Sequence, residues 1–135
     1  MDCIFCKIVK GEIPSHKVYE DDATLAFLDI NPISDGHTLV IPKQHSENLL
    51  DTSEEDVKAV AVAVKKVAKA TKAAMQCDGI NILQANFIAS GQSVFHYHVH
   101  IVPRMEGDGL QLWPPTRHIG HDAKEIAEKI KRQIK

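Results

Sequence analysis

Basic charge, cysteine and long apolar runs are all scarce in this chain. Sixteen lysines and arginines stand against 18 acidic residues, a formal charge of -2. The basic surface that usually meets a phosphate backbone is therefore missing, and a nucleic-acid polymer is not expected as the main partner. A small phosphorylated ligand stays compatible, because it needs only a local pocket. Only three cysteines occur. So odd and sparse a number builds no disulfide framework and fits a reducing compartment, with thiols kept for metal or left free. No run is long and apolar enough to span a bilayer, so no membrane association is expected. Met1-Asp2-Cys3-Ile4-Phe5-Cys6-Lys7 lacks the basic-then-apolar layout of a secretory signal. The expected location is the cytoplasm. There is no internal repeat and no low-complexity segment.

What is present suits one compact domain over residues 1–135. With 44% hydrophobic residues, a chain of this size hides roughly two-thirds of the surface its unfolded form exposes, so it needs no covalent staples. A short helix is predicted near Cys6–Lys10, stopped by Gly11. Lys17–Glu20 and Thr24–Asp29 read as strands around an Asp21-Asp22 turn, and His37–Ile41 as a third strand stopped by Pro42. Asn31 to Gly36 is a loop by its turn residues. The long middle segment is helical. Thr52 and Glu55 fit a capping box, and Val57, Val60, Ala61, Val64, Val67, Ala68 and Thr71 follow one helical face. The lysines between them mark a solvated face. Ile80–Gln84 and Val94–Pro103 read as two more strands, and a last helix starts near Asp122 with Ile126, Ile130 and Ile134 repeating every four residues. Strands in runs, not alternating with helices, predict an α+β fold: a five-stranded antiparallel sheet with one long helix and a C-terminal helix.

His96-Tyr97-His98-Val99-His100 carries the most chemistry. On a strand, alternate side chains share a face, so three imidazoles would project to one side. Phe95, Tyr97, Val99 and Ile101 would pack toward a helix on the other. Three imidazoles cost that face much of its apolar burial. Such a set holds a catalytic metal or supplies an attacking histidine flanked by groups that orient it. Spacing alone does not separate the two.

The flanks do. Asn81-Ile82-Leu83-Gln84-Ala85-Asn86, then Gly91-Gln92-Ser93-Val94-Phe95 leading into the histidines and on to Pro103-Arg104, resembles the histidine triad (HIT) superfamily. So do Asp29-Ile30-Asn31-Pro32, Gly36 to His45, the opening Cys3 to Ile8, and Trp113-Pro114-Pro115. The nearest branch looks like the histidine triad nucleotide-binding proteins, which are nucleoside phosphoramidases.

That resemblance implies a hydrolase that opens the α-phosphorus bond of a purine nucleoside 5′-phosphoramidate or related nucleotide. His98 would be the nucleophile, forming a nucleotidyl-histidine that water resolves. His100 would meet a non-bridging phosphate oxygen, Ser93 the leaving group, and His37 would support the arrangement from behind. Asp29 matches the carboxylate for the ribose hydroxyls. Phe5, Ile8, Phe27 and Ile30 match the walls around the base, and Asn86, Gly91 and Gln92 the phosphate edge. A dinucleoside polyphosphate hydrolase and a nucleotide-binding scaffold are the alternatives. After Asn86 the family usually has a glycine and a polar turn; here Phe87-Ile88-Ala89-Ser90 intervenes, and a bulky pair is expected at the pocket mouth.

Cys3-x-x-Cys6 is half of a zinc motif. The resemblance implies Cys3, Cys6, His45 and His96 as ligands of a structural Zn²⁺. It also implies a two-fold homodimer, in which Trp113 approaches the partner's pocket. The alanine-rich helix from about Ser53 to Met75 is apolar beyond one stripe, which favours a second buried side.

Overall fold

The computed structural model describes residues 2–111, 113–114 and 122–135. In chain order it contains α1 (Ile4–Val9), β1 (Lys17–Glu20), β2 (Thr24–Leu28), β3 (Thr38–Pro42), α2 (Glu54–Met75), β4 (Gly79–Leu83), a 3-10 turn (Ile88–Ser90), β5 (Val99–Arg104) and α3 (Ala123–Gln133). The five strands form one sheet in the order β1-β2-β3-β5-β4, with every neighbouring pair antiparallel. This is the predicted α+β architecture.

Each sheet face is covered by a different helix, which explains why β3 is buried along its whole length. On one face Val60, Ala63 and Val67 of α2 pack with Ala26, Val40, Tyr97, Val99 and Ile101. On the other, Cys3, Phe5 and Ile8 pack with Leu25, Phe27, Leu39 and Ile41. Side chains of this size are worth about 1.5–3 kcal/mol each when fully buried, so the two clusters fix the sheet from both sides.

Four local expectations need correction. The strand expected over Val94–Pro103 begins at Val99, so only His100 of the three histidines lies in the ladder. Beside this stretch the Pro42 carbonyl accepts from His96 Nε2 at 2.8 Å. The Tyr97 amide meanwhile turns to the Ser46 carbonyl. Tyr97, Val99 and Ile101 still reach the α2 core, but Phe95 does not and is exposed. The cap of α2 is Ser53, whose Oγ accepts from the Asp56 amide at 3.2 Å; Thr52 is spent on the Asn48 carbonyl at 2.6 Å. On α2 the buried stripe runs through Ala63, and Ala61 is exposed.

Gly36 needs to be glycine. Its φ is +90°, and a Cβ there would stand 2.9 Å from Met75 Cγ, so the turn that delivers His37 to β3 depends on it. α3 buries no residue; Ile126 and Ile130 are exposed on it, and Ile134, just past its end, is exposed as well. No helix among the described residues is long and apolar enough to cross a membrane.

Candidate active site and metal centre

A cavity of about 490 Å³ opens on the α1 side of the sheet. Phe5, Ile8, Phe27, Asp29, Ile30, His37, Ser93, His98 and His100, all predicted from the sequence, line it together. Phe5 and Phe27 meet edge to face at 5.4 Å, and Phe5 meets the His98 ring at 5.3 Å and 90°. The cavity thus combines apolar and aromatic walls with imidazoles, a hydroxyl and a carboxylate. Asn86, Gly91 and Gln92 are not among the lining residues. Asn86 accepts from the Leu49 amide. Buried Gln92 accepts from the Phe87 amide at 2.7 Å and donates to the Glu47 and Val94 carbonyls, so it pins the loop beside the cavity. Phe87 and Ile88 also stay out of the lining and are exposed. Phe87 has φ 72° and ψ 160°, a conformation that normally belongs to glycine. Pro115 lies outside the described residues; Trp113 is exposed.

Hydrogen bonds decide which nitrogen of each ring carries the proton. The Ile33 amide only donates, and it donates to His37 Nδ1 at 3.0 Å. Neutral His37 therefore carries its proton on Nε2, which lies 2.9 Å from His100 Nδ1. His100 Nδ1 must accept, so the His100 proton sits on Nε2. The His96 carbonyl only accepts, and His98 Nδ1 donates to it at 2.7 Å. His98 Nε2 is left with a free lone pair. No buried side-chain nitrogen or oxygen among the described residues lacks a partner, so this nitrogen is reached from the cavity. The site thus presents a nucleophilic nitrogen on His98 beside an N–H donor on His100.

Burial sets the charge state. It pushes His98 and His37 below the ordinary imidazole value, and pulls His100 down to about 4 with help from His98 and His37. Asp29, whose Oδ2 is 3.6 Å from His37 Nε2, opposes the shift in all three. Neutral rings at pH 7 match the tautomers above.

A second cluster adjoins the first. Cys3, Cys6, His45 and His96 each offer one donor atom, all within 4.8 Å of one another. His96 donates from Nε2 to Pro42, so its Nδ1 lone pair faces Cys3 Sγ at 3.4 Å and Cys6 Sγ at 3.6 Å. His45 Nδ1 is 3.4 Å from Cys6 Sγ. Tetrahedral zinc, with Zn–S near 2.3 Å and Zn–N near 2.0–2.1 Å, puts neighbouring donors roughly 3.3–3.8 Å apart. The four residues suit that ion in number and chemistry, and the Cys3–His96, Cys6–His96 and Cys6–His45 separations fall in that range.

Sequence reasoning missed Ile33, whose contribution is a backbone amide and leaves no residue-type signal. It also missed Ile4, Ile13 and Val94 in the cavity wall; their apolar character was visible, but not their position.

The cavity thus holds a neutral histidine with a free lone pair beside an imidazole donor. Residues 10–107 match the HIT domain family, and the chain belongs to that family. It is 42% identical over 137 residues to the adenosine 5′-monophosphoramidase of Schizosaccharomyces pombe, covering 100% of both chains. It is 47% identical to an adenylylsulfatase of Arabidopsis thaliana, covering 98% of this chain and 70% of that one. Among solved structures, a HIT family member from Bacillus subtilis superposes with a TM-score of 0.92 at 45% identity, covering 100% of this chain and 99% of that one. A Zn-bound histidine triad protein from Mycobacterium smegmatis gives 0.79 at 42% identity, with 87% and 85% covered.

Proposed function

We propose that this protein is a nucleotide hydrolase that cleaves purine nucleoside 5′-phosphoramidates or related nucleotides at the α-phosphorus. The observation that carries the reading is the protonation pattern: His98 Nε2 bears a lone pair toward the cavity while His100 Nε2 bears a proton. His98 Nε2 attacks phosphorus, a P–N bond to the ring forms, and the bond to the leaving amine breaks. The leaving nitrogen takes up a proton, passed from solvent by the Ser93 hydroxyl. Water then attacks the nucleotidyl-histidine, releasing nucleoside monophosphate and restoring the free ring. His100 donates to a non-bridging oxygen as charge develops there, the kind of preorganised contact that dominates many such rates. His37 holds the His100 tautomer. Asp29 binds the ribose hydroxyls, and Phe5, Ile8, Phe27 and Ile30 enclose the base. Asn86, Gly91 and Gln92 shape the loop at the phosphate end.

The phosphoramidase and adenylylsulfatase names of two relatives support attack at the α-phosphorus with more than one leaving group. A turnover panel of adenosine and guanosine phosphoramidates, adenylyl sulfate and diadenosine polyphosphates tests the assignment. Phosphoramidates should turn over fastest; preference for the polyphosphates would move the protein to the alternative class, and no turnover at all would leave a nucleotide-binding scaffold.

Cys3, Cys6, His45 and His96 would hold a structural Zn²⁺, which cross-links the N-terminal segment to the sheet and takes no part in the reaction. The proposed assembly is a two-fold homodimer through the edge strand β4 and the outer side of α2, where Ile82 and Val62 are exposed. Trp113 would then stand toward the partner's cavity. The proposed compartment is the cytoplasm.

A further inference from the structure

We infer that the Cys3–Cys6–His45–His96 cluster positions the nucleophile, so that metal at the cluster and nucleoside monophosphate in the cavity tighten each other's binding. The inference rests on the proposed function and adds to it a coupling between two sites.

Two routes join the sites. The first is residue 96 itself. Its ring Nδ1 faces the two thiols, its Nε2 donates to the Pro42 carbonyl at 2.8 Å, and its own carbonyl accepts from His98 Nδ1 at 2.7 Å. A displacement of His96 therefore moves the acceptor that fixes the His98 tautomer and ring plane. The second is Phe5, which stands between Cys3 and Cys6 on α1. Its ring meets His98 at 5.3 Å, His96 at 5.9 Å and Phe27 at 5.4 Å, and it is buried.

α1 has six residues, far too few to hold together by its own hydrogen bonds. Its cap is the Cys3 thiol, which accepts from the Cys6 amide at 3.4 Å. The helix that supplies Phe5 and Ile8 to the cavity is thus anchored at its start by the same sulfur atoms that face His96. An ion on those sulfurs fixes α1 and residue 96 together. A nucleotide against Phe5 and His98 orders the same two pieces from the other side. Each ligand then finds part of its ordering cost already met by the other, which is positive coupling, and coupling between two sites is reciprocal.

The test uses the zinc-loaded protein as purified. Transfer of Zn²⁺ to a colorimetric chelator is followed at equilibrium with and without saturating AMP, and AMP affinity is measured by calorimetry before and after chelation. Circular dichroism establishes that the zinc-free protein is folded at the temperature used. A coupling of about tenfold, within the usual range for linked sites, should appear with the same factor in both directions. Phe5→Leu keeps all four donors and should bind zinc while weakening the effect of AMP on zinc transfer. The chelator measurement needs no variant, and circular dichroism at its end point shows whether the zinc-free product is folded, so that an effect of AMP is read as coupling and not as ligand-linked folding. A protein that binds zinc and AMP with no mutual effect overturns the coupling alone. A protein that binds zinc but no nucleotide overturns the proposed function and the coupling with it. A protein that binds no zinc removes the cluster as a metal site and overturns the coupling for that reason.

Discussion

Replacing His37 by glutamate and, separately, by glutamine separates tautomer control from simple packing. In the native site the Ile33 amide forces the His37 proton onto Nε2, and that proton in turn forces the His100 proton onto Nε2, where it faces the cavity. Glutamine can place an N–H donor where His37 Nε2–H stood, so His100 keeps its orientation. Glutamate offers only acceptor oxygens, so neutral His100 must turn its proton to Nδ1 and present a bare lone pair to the phosphate. Losing one preorganised donor to a developing anion costs about 2.7–4 kcal/mol, roughly 10²–10³ in kcat. The carboxylate also raises the His100 pKa, and an imidazolium donates from both nitrogens. The assay is therefore kcat against pH with an adenosine phosphoramidate. At pH 8.5, where His100 is neutral, the glutamate variant should fall by roughly 10²–10³ and the glutamine variant by much less. As pH falls, the glutamate variant should recover relative to glutamine. Equal rates for the two variants across the pH range would refute the tautomer reasoning.

Stability should fall on acidification. Burial holds His100 at about 4 against an ordinary 6.5, so between these values the unfolded chain binds more protons than the folded one. The contribution is therefore complete above pH 6.5 and is lost as pH falls toward 4. The full shift corresponds to about 3 kcal/mol, and the partial exposure of this ring reduces that to about 1–2 kcal/mol. Denaturant titrations at pH 7.5 and 4.5 should differ by more in the native protein than in His100→Asn, and an equal difference would exclude His100 as a cause. His37 and His98 shift in the same sense, with Asp29 opposing. Chelation of zinc should lower Tm without unfolding the sheet, because the second buried cluster rests on apolar packing as well as on the thiols; an unchanged Tm would mean that no structural metal is bound. Light scattering at micromolar concentration should give about twice the 15.0 kDa chain mass, and Trp113→Ala should alter leaving-group preference more than base preference. A fully active monomer would contradict both statements.

The sheet and the long helix that covers one face of it were legible because their signals are redundant. The period of α2, the turn residues around β2 and β3, and the alternation through Tyr97, Val99 and Ile101 all favour one arrangement. Boundaries were less legible because tertiary partners decide them. Ser53 and Thr52 are both acceptable caps, and only the Asn48 carbonyl, which takes the Thr52 hydroxyl, selects between them. Ala61 and Ala63 both suit a helical stripe, and the sheet chooses. Before β5 the Tyr97 amide goes to the Ser46 carbonyl and not to the ladder, a partner far away in sequence. The cavity residues came together largely as the family resemblance implied. The thiol pair was visible as a motif, and His45 and His96 beside it were named only through the family resemblance. The roles of individual ring nitrogens were not legible at all, because they are set by backbone atoms of Ile33 and residue 96.

The central claim is that His98 Nε2 becomes covalently bonded to the nucleotide phosphorus. Rapid quench of the protein with an adenosine phosphoramidate, followed by peptide mass spectrometry under conditions that preserve phosphoramidate bonds, tests it directly. The peptide carrying His98 should gain one adenylyl group, with fragmentation placing it on His98. That adduct should be absent from His98→Ala, which should still bind AMP. An adenylyl group on His96 or His100, or near-normal turnover by His98→Ala, would contradict the account.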